Sequence, residues 1–146
     1  MKYLLSFTFL LIAIIAFGQL DSIKQKEELD CELMLIVEQM PMFPACDSLT
    51  DYTERKSCAD KAMLEFVYSN LKWPKNAGCV EGTAVVSFII KKDGSISDAK
   101  VIRDPGAGCG DEALRVVNLM PKWIPGRQRN QAVNVQINLP IRFRLE

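Results

Sequence analysis

The sequence ends in an unbroken alternation of apolar and polar residues, Val133-Asn134-Val135-Gln136-Ile137-Asn138-Leu139-Pro140-Ile141-Arg142-Phe143-Arg144-Leu145. A period of two over so long a run predicts a β-strand with one buried and one solvent-exposed face. Pro140 cannot donate to a ladder, so the strand is predicted to lie at the edge of a sheet. Proteins usually avoid a long exposed edge, and one that is kept favours a partner that pairs with it.

The sequence upstream predicts a helix, two strands and a second helix. Apolar residues recur at helical spacing at Ala59, Met63, Phe66, Val67 and Leu71. Ser57 or Asp60 can cap the start of this helix, and Pro74 ends it. Residues 80–91 and 95–103 form a predicted hairpin around Asp93-Gly94. The second helix is predicted to begin at the acidic pair Asp111-Glu112 and to run to about Met120.

This order of elements limits the topology. The last strand must run in the same direction as the second strand, so in an antiparallel sheet it pairs with the first. The prediction is an α+β fold, with two helices packed on a three-stranded antiparallel sheet of order 2-1-3. Residues 80–91 form the central strand, and Val86 faces Val101 if Lys92 faces Ser95.

The first residues indicate export. The apolar run from Tyr3 to Phe17 is short for a membrane span and ends in small residues, which predicts a signal peptide at 1–18 that is cleaved after Gly18. An uncleaved membrane anchor is the alternative. The domain boundaries predicted from the sequence are an N-terminal leader over 19–56 and a folded domain over 57–146.

The five cysteines are expected to form disulfides in an exported chain. The register of the predicted hairpin brings Cys79 beside Cys109, which favours a bridge between them. Cys46–Cys58 is the natural second pair, and Cys31 is left over. Other pairings among the three cysteines before residue 60 stay open. The chain has no histidine and no Cys-x-x-Cys pair, so a metal site is not expected.

The composition argues against several functions. Eighteen basic and eighteen acidic residues give a formal net charge of +0, so nucleic acid held by bulk electrostatics is not an expected partner. Without histidine, and with scattered carboxylates, the chain offers no candidate catalytic residues, and an enzyme is not predicted. Residues 106–110 share only their glycine content with phosphate-binding loops, so no cofactor is expected.

Several motifs resemble the C-terminal domain of the TonB energy transducers. They occur in the right order and at the right spacing over roughly residues 57–145: Trp73-Pro74, Glu81-Gly82-Thr83, Lys92-Asp93-Gly94-Ser95-Ile96, Trp123-Ile124-Pro125-Gly126 and Leu139-Pro140-Ile141-Arg142-Phe143. Upstream, Met40-Pro41-Met42-Phe43-Pro44 is similar to the version common in Bacteroidota.

The resemblance implies a periplasmic binding domain that supports transport across the outer membrane. Domains of this family capture the TonB box of outer-membrane transporters by β-strand addition. The docking edge matches the final strand at Val133, Asn134, Val135, Gln136, Ile137, Asn138 and Leu139. A second contact of the family matches Lys72, Trp73 and Pro74.

The parity of Pro140 refines this docking edge. Proline prefers the side of a strand where no N–H is needed. Residues of the same parity should therefore direct their backbone groups outward, which selects Asn134, Gln136 and Asn138 as docking points. Five arginines near the edge are expected to form a solvated face, and a basic surface that would favour an acidic partner segment is the alternative: Arg103, Arg127, Arg129, Arg142 and Arg144.

Two other functions remain open at this level. With an uncleaved N-terminal run, the chain would be an energy transducer in the inner membrane, facing the periplasm and coupled to an inner-membrane energising complex. Alternatively, the edge would pair with a second copy in a structural or regulatory homodimer, since strand exchange uses the same backbone groups as peptide capture.

Overall fold

The computed structural model describes residues 33–73 and 81–144. The signal peptide predicted at 1–18, Cys31, Pro74 and Cys79 lie outside these residues. The described elements are β1 (Leu33–Met34), α1 (Tyr52–Asn70), β2 (Gly82–Ile90), β3 (Ile96–Arg103), α2 (Cys109–Asn118), β4 (Gly126–Gln128) and β5 (Gln131–Phe143).

The sheet contains the predicted core of three strands. Its order is β1-β5-β2-β3, so β2 is central and lies between β3 and β5, as the 2-1-3 prediction requires. Two short strands were not predicted. β1 pairs in parallel with β5, which makes the sheet mixed, and β4 forms a hairpin with the beginning of β5. Arg129 and Asn130 both have positive φ (49° and 63°), as a tight two-residue hairpin turn requires.

The alternation of β5 does place one face in the core. Val135 and Ile141 are almost completely buried, whereas Pro140 and Arg142 are exposed. The buried face packs with the matching residues of β2 and with both helices. The largest fully buried side chains of the described residues include Phe88, Phe143, Ile90, Ile141, Val67 and Val116.

The hairpin of β2 and β3 departs from a regular ladder. Val86 faces Val101 as predicted, but nearer the turn Ile90 faces Ile96, one residue away from the predicted register. Lys91, not Lys92, is the residue opposite Ser95, and its N–H donates to the Ser95 carbonyl at 2.9 Å. Asp98 has a φ of 52° within the irregular stretch, which is consistent with a bulge that absorbs the extra residue.

Helix α1 begins earlier than predicted. Asp51 is its N-cap, and the Asp51 carboxylate accepts the Glu54 N–H at 2.9 Å, so the predicted caps at Ser57 and Asp60 are wrong. The first turns of α1 are polar and half-exposed, and for this reason apolar periodicity did not reveal them. The predicted Cys46–Cys58 disulfide is present and joins α1 to the preceding loop, with the two Cα atoms 6.2 Å apart.

The predicted Cys79–Cys109 disulfide is not formed, because Cys109 is a free thiol. The ladder ends at Arg103, and the chain then turns through Asp104, whose carboxylate accepts the N–H groups of Gly106 and Gly110 at 2.8 and 3.0 Å. Cys109 consequently becomes the first residue of α2 and is fully buried in the core. Its burial raises the pKa of the thiol.

The segment 33–56, which the sequence assigned to the leader, lies in one compact unit with the rest of the described chain. Met42 and Phe43 are buried in the core, and the Phe43 ring contacts Trp123 edge-on with centroids 5.7 Å apart. Trp123 in turn contacts Phe88, at 6.0 Å between centroids.

Gly94 brings the β2–β3 turn against this tryptophan. The Trp123 N–H donates to the Gly94 carbonyl at 2.8 Å, and Gly94 has a φ of 82°. A Cβ atom on Gly94 would collide with the Trp123 carbonyl oxygen. The turn therefore needs glycine for its conformation and also for close approach.

We expect Gly94→Ala to lower the free energy of unfolding by roughly 2–3 kcal/mol, because both the backbone strain and the collision must be relieved. Gly106→Ala is the matched control. Gly106 also has a positive φ, but nothing lies within 4 Å of the position that a Cβ atom would take, so only the backbone penalty of about 1 kcal/mol applies. Urea unfolding followed by tryptophan fluorescence measures both, and equal losses would contradict the role of the Trp123 contact.

Candidate functional site

β5 has one side without a partner strand over much of its length. On one side, β2 pairs with every residue from Val135 to Phe143. The other pairings of β5 in the described part of the chain lie near its beginning, with β4 at residues 131–133 and with β1 at Asn134 and Val135. The backbone of β5 from residue 136 to residue 143 therefore presents an open edge.

Alternate residues of β5 direct their backbone groups to this open edge. Pro140 lies opposite Val85 of β2 and has no N–H, so its position must be one that needs no donor toward β2. Gln136 and Asn138 share this parity, and their N–H and C=O groups point away from β2. Ile137 and Leu139 have the opposite parity, which directs their backbone groups to β2 while their side chains face the core.

The open edge does not begin where the sequence placed it. Val133 pairs with Gly126 of β4, and Asn134 and Val135 pair with Leu33 and Met34. Three of the seven predicted docking residues of β5, including the predicted docking point Asn134, thus already pair with a strand other than β2.

The segment that covers the start of β5 is anchored just after β1. Gln39 and Arg127 exchange two backbone hydrogen bonds of 3.0 and 2.8 Å, and Met42 and Ile124 exchange two more of 3.0 and 2.9 Å. By contrast, Ile36 is 89% exposed. The attachment is therefore firm from residue 39 onward and slight at β1. A strand of two residues carries no periodicity, so no sequence pattern indicated it.

A groove lies where the end of α1 meets the end of β5, with a volume of about 760 Å³. The described residues that line it are Tyr68, Leu71, Trp73, Thr83, Pro140, Arg142, Phe143 and Arg144. Tyr68 is 48% exposed, and the Trp73 ring contacts Phe143 with centroids 5.9 Å apart. The structure therefore joins the predicted second contact, through Trp73, to the final strand.

An ion pair on α2 holds the chain that leaves α1. Arg115 donates to the Asn70 carbonyl at 2.7 Å and to both carboxylate oxygens of Glu112 at 2.7 and 2.8 Å. Glu112 also accepts the Lys72 N–H at 2.6 Å. These bonds satisfy backbone groups at the end of α1 and position Trp73 at the groove. The Arg115 hydrogen bond holds the pKa of Glu112 below its ordinary value.

The five arginines do not form one surface. Arg127 and Arg129 lie at the β4–β5 hairpin, where Arg127 donates to Asn130 and the Arg129 N–H donates to Glu38. Arg103 ends β3 and pairs with Val85 on the far side of β2. Only Arg142 and Arg144 line the groove. The alternative of a basic surface beside the open edge is thus reduced to these two side chains.

The substitution Glu112→Gln should make the free energy of unfolding less dependent on pH in the acidic range. A group with a lowered pKa stabilises the fold above its ordinary value, here 4.5, and loses that contribution as pH falls through the lowered pKa. The variant keeps an acceptor for Lys72 but loses the charge. It should therefore be less stable than wild type at neutral pH, and the difference should shrink below about pH 4.5.

Denaturant unfolding from neutral to acidic pH measures this difference. Glu65→Gln is the control, because Glu65 is exposed on α1 and makes no hydrogen bond or ion pair to the described residues. A constant difference between wild type and Glu112→Gln at every pH would contradict the role of the charge.

Comparison with known proteins identifies relatives of this chain. Residues 70–145, just over half of the chain, match the family model described as Gram-negative bacterial TonB protein C-terminal. Two NMR solution structures of the Helicobacter pylori TonB C-terminal domain are similar to it. One has 26% identity over 57% of this chain and 78% of that chain, with a TM-score of 0.44. The other has 25% identity over 57% and 90%, with a TM-score of 0.42.

A search of curated proteins gives no significant match. Among the residues that the structure describes, no helix has the length and apolar character needed to cross a membrane.

Proposed function

Because the chain belongs to the family of TonB C-terminal domains, we propose that its open β5 edge captures the TonB box of an outer-membrane transporter by strand addition. Domains of this family are periplasmic interaction modules without catalytic activity, and they act with outer-membrane receptors in transport. The observation that carries the proposal concerns the side of β5 that faces away from β2. On that side, residues 136–143 have no partner strand in the described chain.

The stretch of β5 that is available to a captured strand begins later than the sequence suggested, at Gln136 instead of Val133. The captured strand would bond to outward-facing groups of Gln136, Asn138 and Arg142, and to the carbonyl of Pro140. A net gain of about 1 kcal/mol per backbone hydrogen bond is modest against the entropy lost on association. Additional contacts in the groove beside Trp73 would therefore be needed for useful affinity.

β1 limits where the captured strand can end. It pairs with Asn134 and Val135 on the same side of β5. A partner strand therefore stops at Gln136, or it displaces Leu33 and Met34 to gain two further positions. The firm attachment of Gln39 and Met42 would keep the rest of the segment in place.

Asn138→Pro tests strand addition directly. Proline removes one outward N–H, and the fold should survive because Pro140 already occupies an equivalent position opposite β2. We expect at least a roughly tenfold loss of affinity, since the ring also obstructs the edge. Asn138→Ala is the matched control and should bind within about twofold of wild type, because main-chain groups supply the affinity.

Fluorescence anisotropy with labelled TonB-box peptides from transporters of the same genome measures the binding. A folded Asn138→Pro variant that binds like wild type would exclude the β5 edge. Sedimentation velocity over a range of concentrations examines the homodimer alternative. Self-pairing would be favoured over peptide capture by two results together. The wild-type protein would form a dimer that does not dissociate when peptide is added, and the Asn138→Pro variant would be a monomer.

We also propose that the chain is exported to the periplasm and cleaved after Gly18. Sequencing of the mature N-terminus is expected to start at Gln19. A start at Met1 would instead favour an anchored energy transducer that couples to an inner-membrane energising complex.

A further inference from the structure

The sheet has a second edge, which is formed by β3. The strand order ends at β3, and no strand of the described chain pairs with its outer side. β3 contains eight residues, so its length would allow a strand of another molecule to pair with it. Because β5 is open as well, β5 of one copy of this chain could pair with β3 of the next.

Such a contact between copies would have no natural end. It joins two different surfaces, so each added copy leaves one β5 edge and one β3 edge unpaired, and the assembly grows unless it closes into a ring. A pairing of β5 with β5, in contrast, uses up both edges in a dimer. A protein that keeps β5 open therefore avoids polymerisation only if β3 is a poor acceptor of strands.

β3 differs from β5 in the regularity of its backbone. β5 pairs with β2 residue for residue over nine pairs. The eight residues of β3, Ile96–Arg103, face only the six residues Val85–Ile90 of β2, and the register of this ladder shifts in two places. Each shift is a β-bulge, which inserts one extra residue, bends the strand and increases its twist.

The pairing identifies Ile102 as one of the extra residues. Val101 faces Val86, and the adjacent residue of β2, Val85, faces Arg103. Ile102 lies between Val101 and Arg103 and consequently has no residue of its own opposite it. Ile102 is also 52% exposed, so the core does not hold its side chain in place.

The second extra residue is Asp98. Two residues of β3, Asp98 and Ala99, lie between pairs that enclose the single residue Phe88 of β2. Ala99 packs against the core that contains Phe88, and therefore keeps the regular position. Asp98 is exposed and has a φ of 52°, which leaves it as the inserted residue.

We propose that the bulges at Asp98 and Ile102 prevent copies of this chain from polymerising through β5 and β3. An added strand needs N–H and C=O groups at a regular spacing of two residues, and β5 provides them. On β3 the longest run without an inserted residue is Ala99–Val101, which is too short for a stable pairing. The inference depends on the open edge of β5 but not on which strand β5 receives.

Deletion of both Asp98 and Ile102 tests the proposal. The deletion leaves one residue of β3 opposite each of the residues Val85–Ile90. Because each deleted residue is an insertion, every remaining side chain of β3 keeps its present face of the sheet. The fold is therefore expected to survive, and circular dichroism and urea unfolding verify this.

Sedimentation velocity over a range of concentrations measures the result. We expect the wild-type chain to be no larger than a dimer. The double deletion should form larger species as its concentration rises, with an average mass at least about threefold that of the wild type, because a contact between two different edges does not close at two copies. Adding Asn138→Pro to the double deletion should restore the wild-type mass, since it obstructs the edge of β5.

Lys100→Gln/Arg103→Gln is the matched control for the charge of β3. It removes two exposed positive charges from this strand and keeps both bulges. Charged side chains also protect sheet edges, so this variant separates their effect from that of the backbone. We expect it to sediment like the wild type.

Four results would overturn the proposal. They are a folded double deletion with the wild-type mass, a wild-type chain that itself forms species larger than a dimer, association of Lys100→Gln/Arg103→Gln, and association of the double deletion that persists with Asn138→Pro. None of them concerns the capture of a TonB box, which the anisotropy experiment measures separately.

Amide hydrogen exchange of the wild-type chain decides the question if the double deletion does not fold. An excess of a peptide of about eight alternating valine and threonine residues serves as the added strand, since main-chain bonds supply its affinity. The amides of β3 that do not bond to β2 should exchange as fast with the peptide as without it. Protection of these amides would reveal an accepting edge and contradict the proposal.

Discussion

Nine residues of β2 pair with nine residues of β5, from Gly82 opposite Phe143 to Ile90 opposite Val135. This ladder places Phe88, Ile141 and Phe143 together under the helices, where their burial supplies much of the driving force for folding. It also fixes the parity of β5. Once β2 takes the backbone groups of alternate residues, those of Gln136 and Asn138 must face the other way. The buried core face of β5 and its open edge are thus two results of one register.

The groove depends on the same register and on one contact with the helices. Phe143 ends the ladder and packs against Trp73, which follows α1. Glu112 and Arg115 of α2 hold the backbone between Asn70 and Lys72. Helix ends usually leave carbonyl groups unsatisfied, and here a second helix satisfies one of them. Trp73 and Phe143 are therefore attached to the sheet and, through the segment that follows α1, to α2.

The segment that precedes α1 contacts the rest of the fold in two places, and the two contacts differ in extent. Met42 and Phe43 complete the core around Trp123, and the Cys46–Cys58 disulfide joins the following loop to α1. In the chain-entropy model, a bridge across so short a loop stabilises the fold by roughly 3 kcal/mol. Leu33 and Met34 contribute only a short parallel pairing, and they occupy backbone positions that a partner strand would also use. Met42 and Phe43 therefore contribute to the stability of the fold, whereas the nearby residues Leu33 and Met34 limit access to the edge.

Patterns of burial that repeat along the chain were readable from the sequence. The alternation of β5, the turn at Asp93-Gly94 and the position of Pro140 predicted the three long strands and their order, because a period of two needs only local information. The predicted edge position of β5 holds only beyond Val135, since β1 pairs with the start of this strand. The motifs around Trp73 and Pro140 pointed to the family. The cap at Asp51 was missed because the turn that follows it is polar, and β1 because two residues have no period.

Only the tertiary structure decided which parts of the edge are open. Leu33 and Met34 reach Asn134 and Val135 across most of the chain, and no local pattern predicts such a pairing. Cys109 illustrates the same limit, since the turn at Asp104 moved it from the expected ladder into the core. The sequence by itself determined that this protein has a buried strand face and an edge. The pairing of β1 with the start of β5 decided that the open edge begins at Gln136. The packing of the end of α1 near the end of β5 decided that this edge ends in a groove lined by Arg142 and Arg144. Both contacts join segments that are far apart in sequence, so no local pattern could predict them.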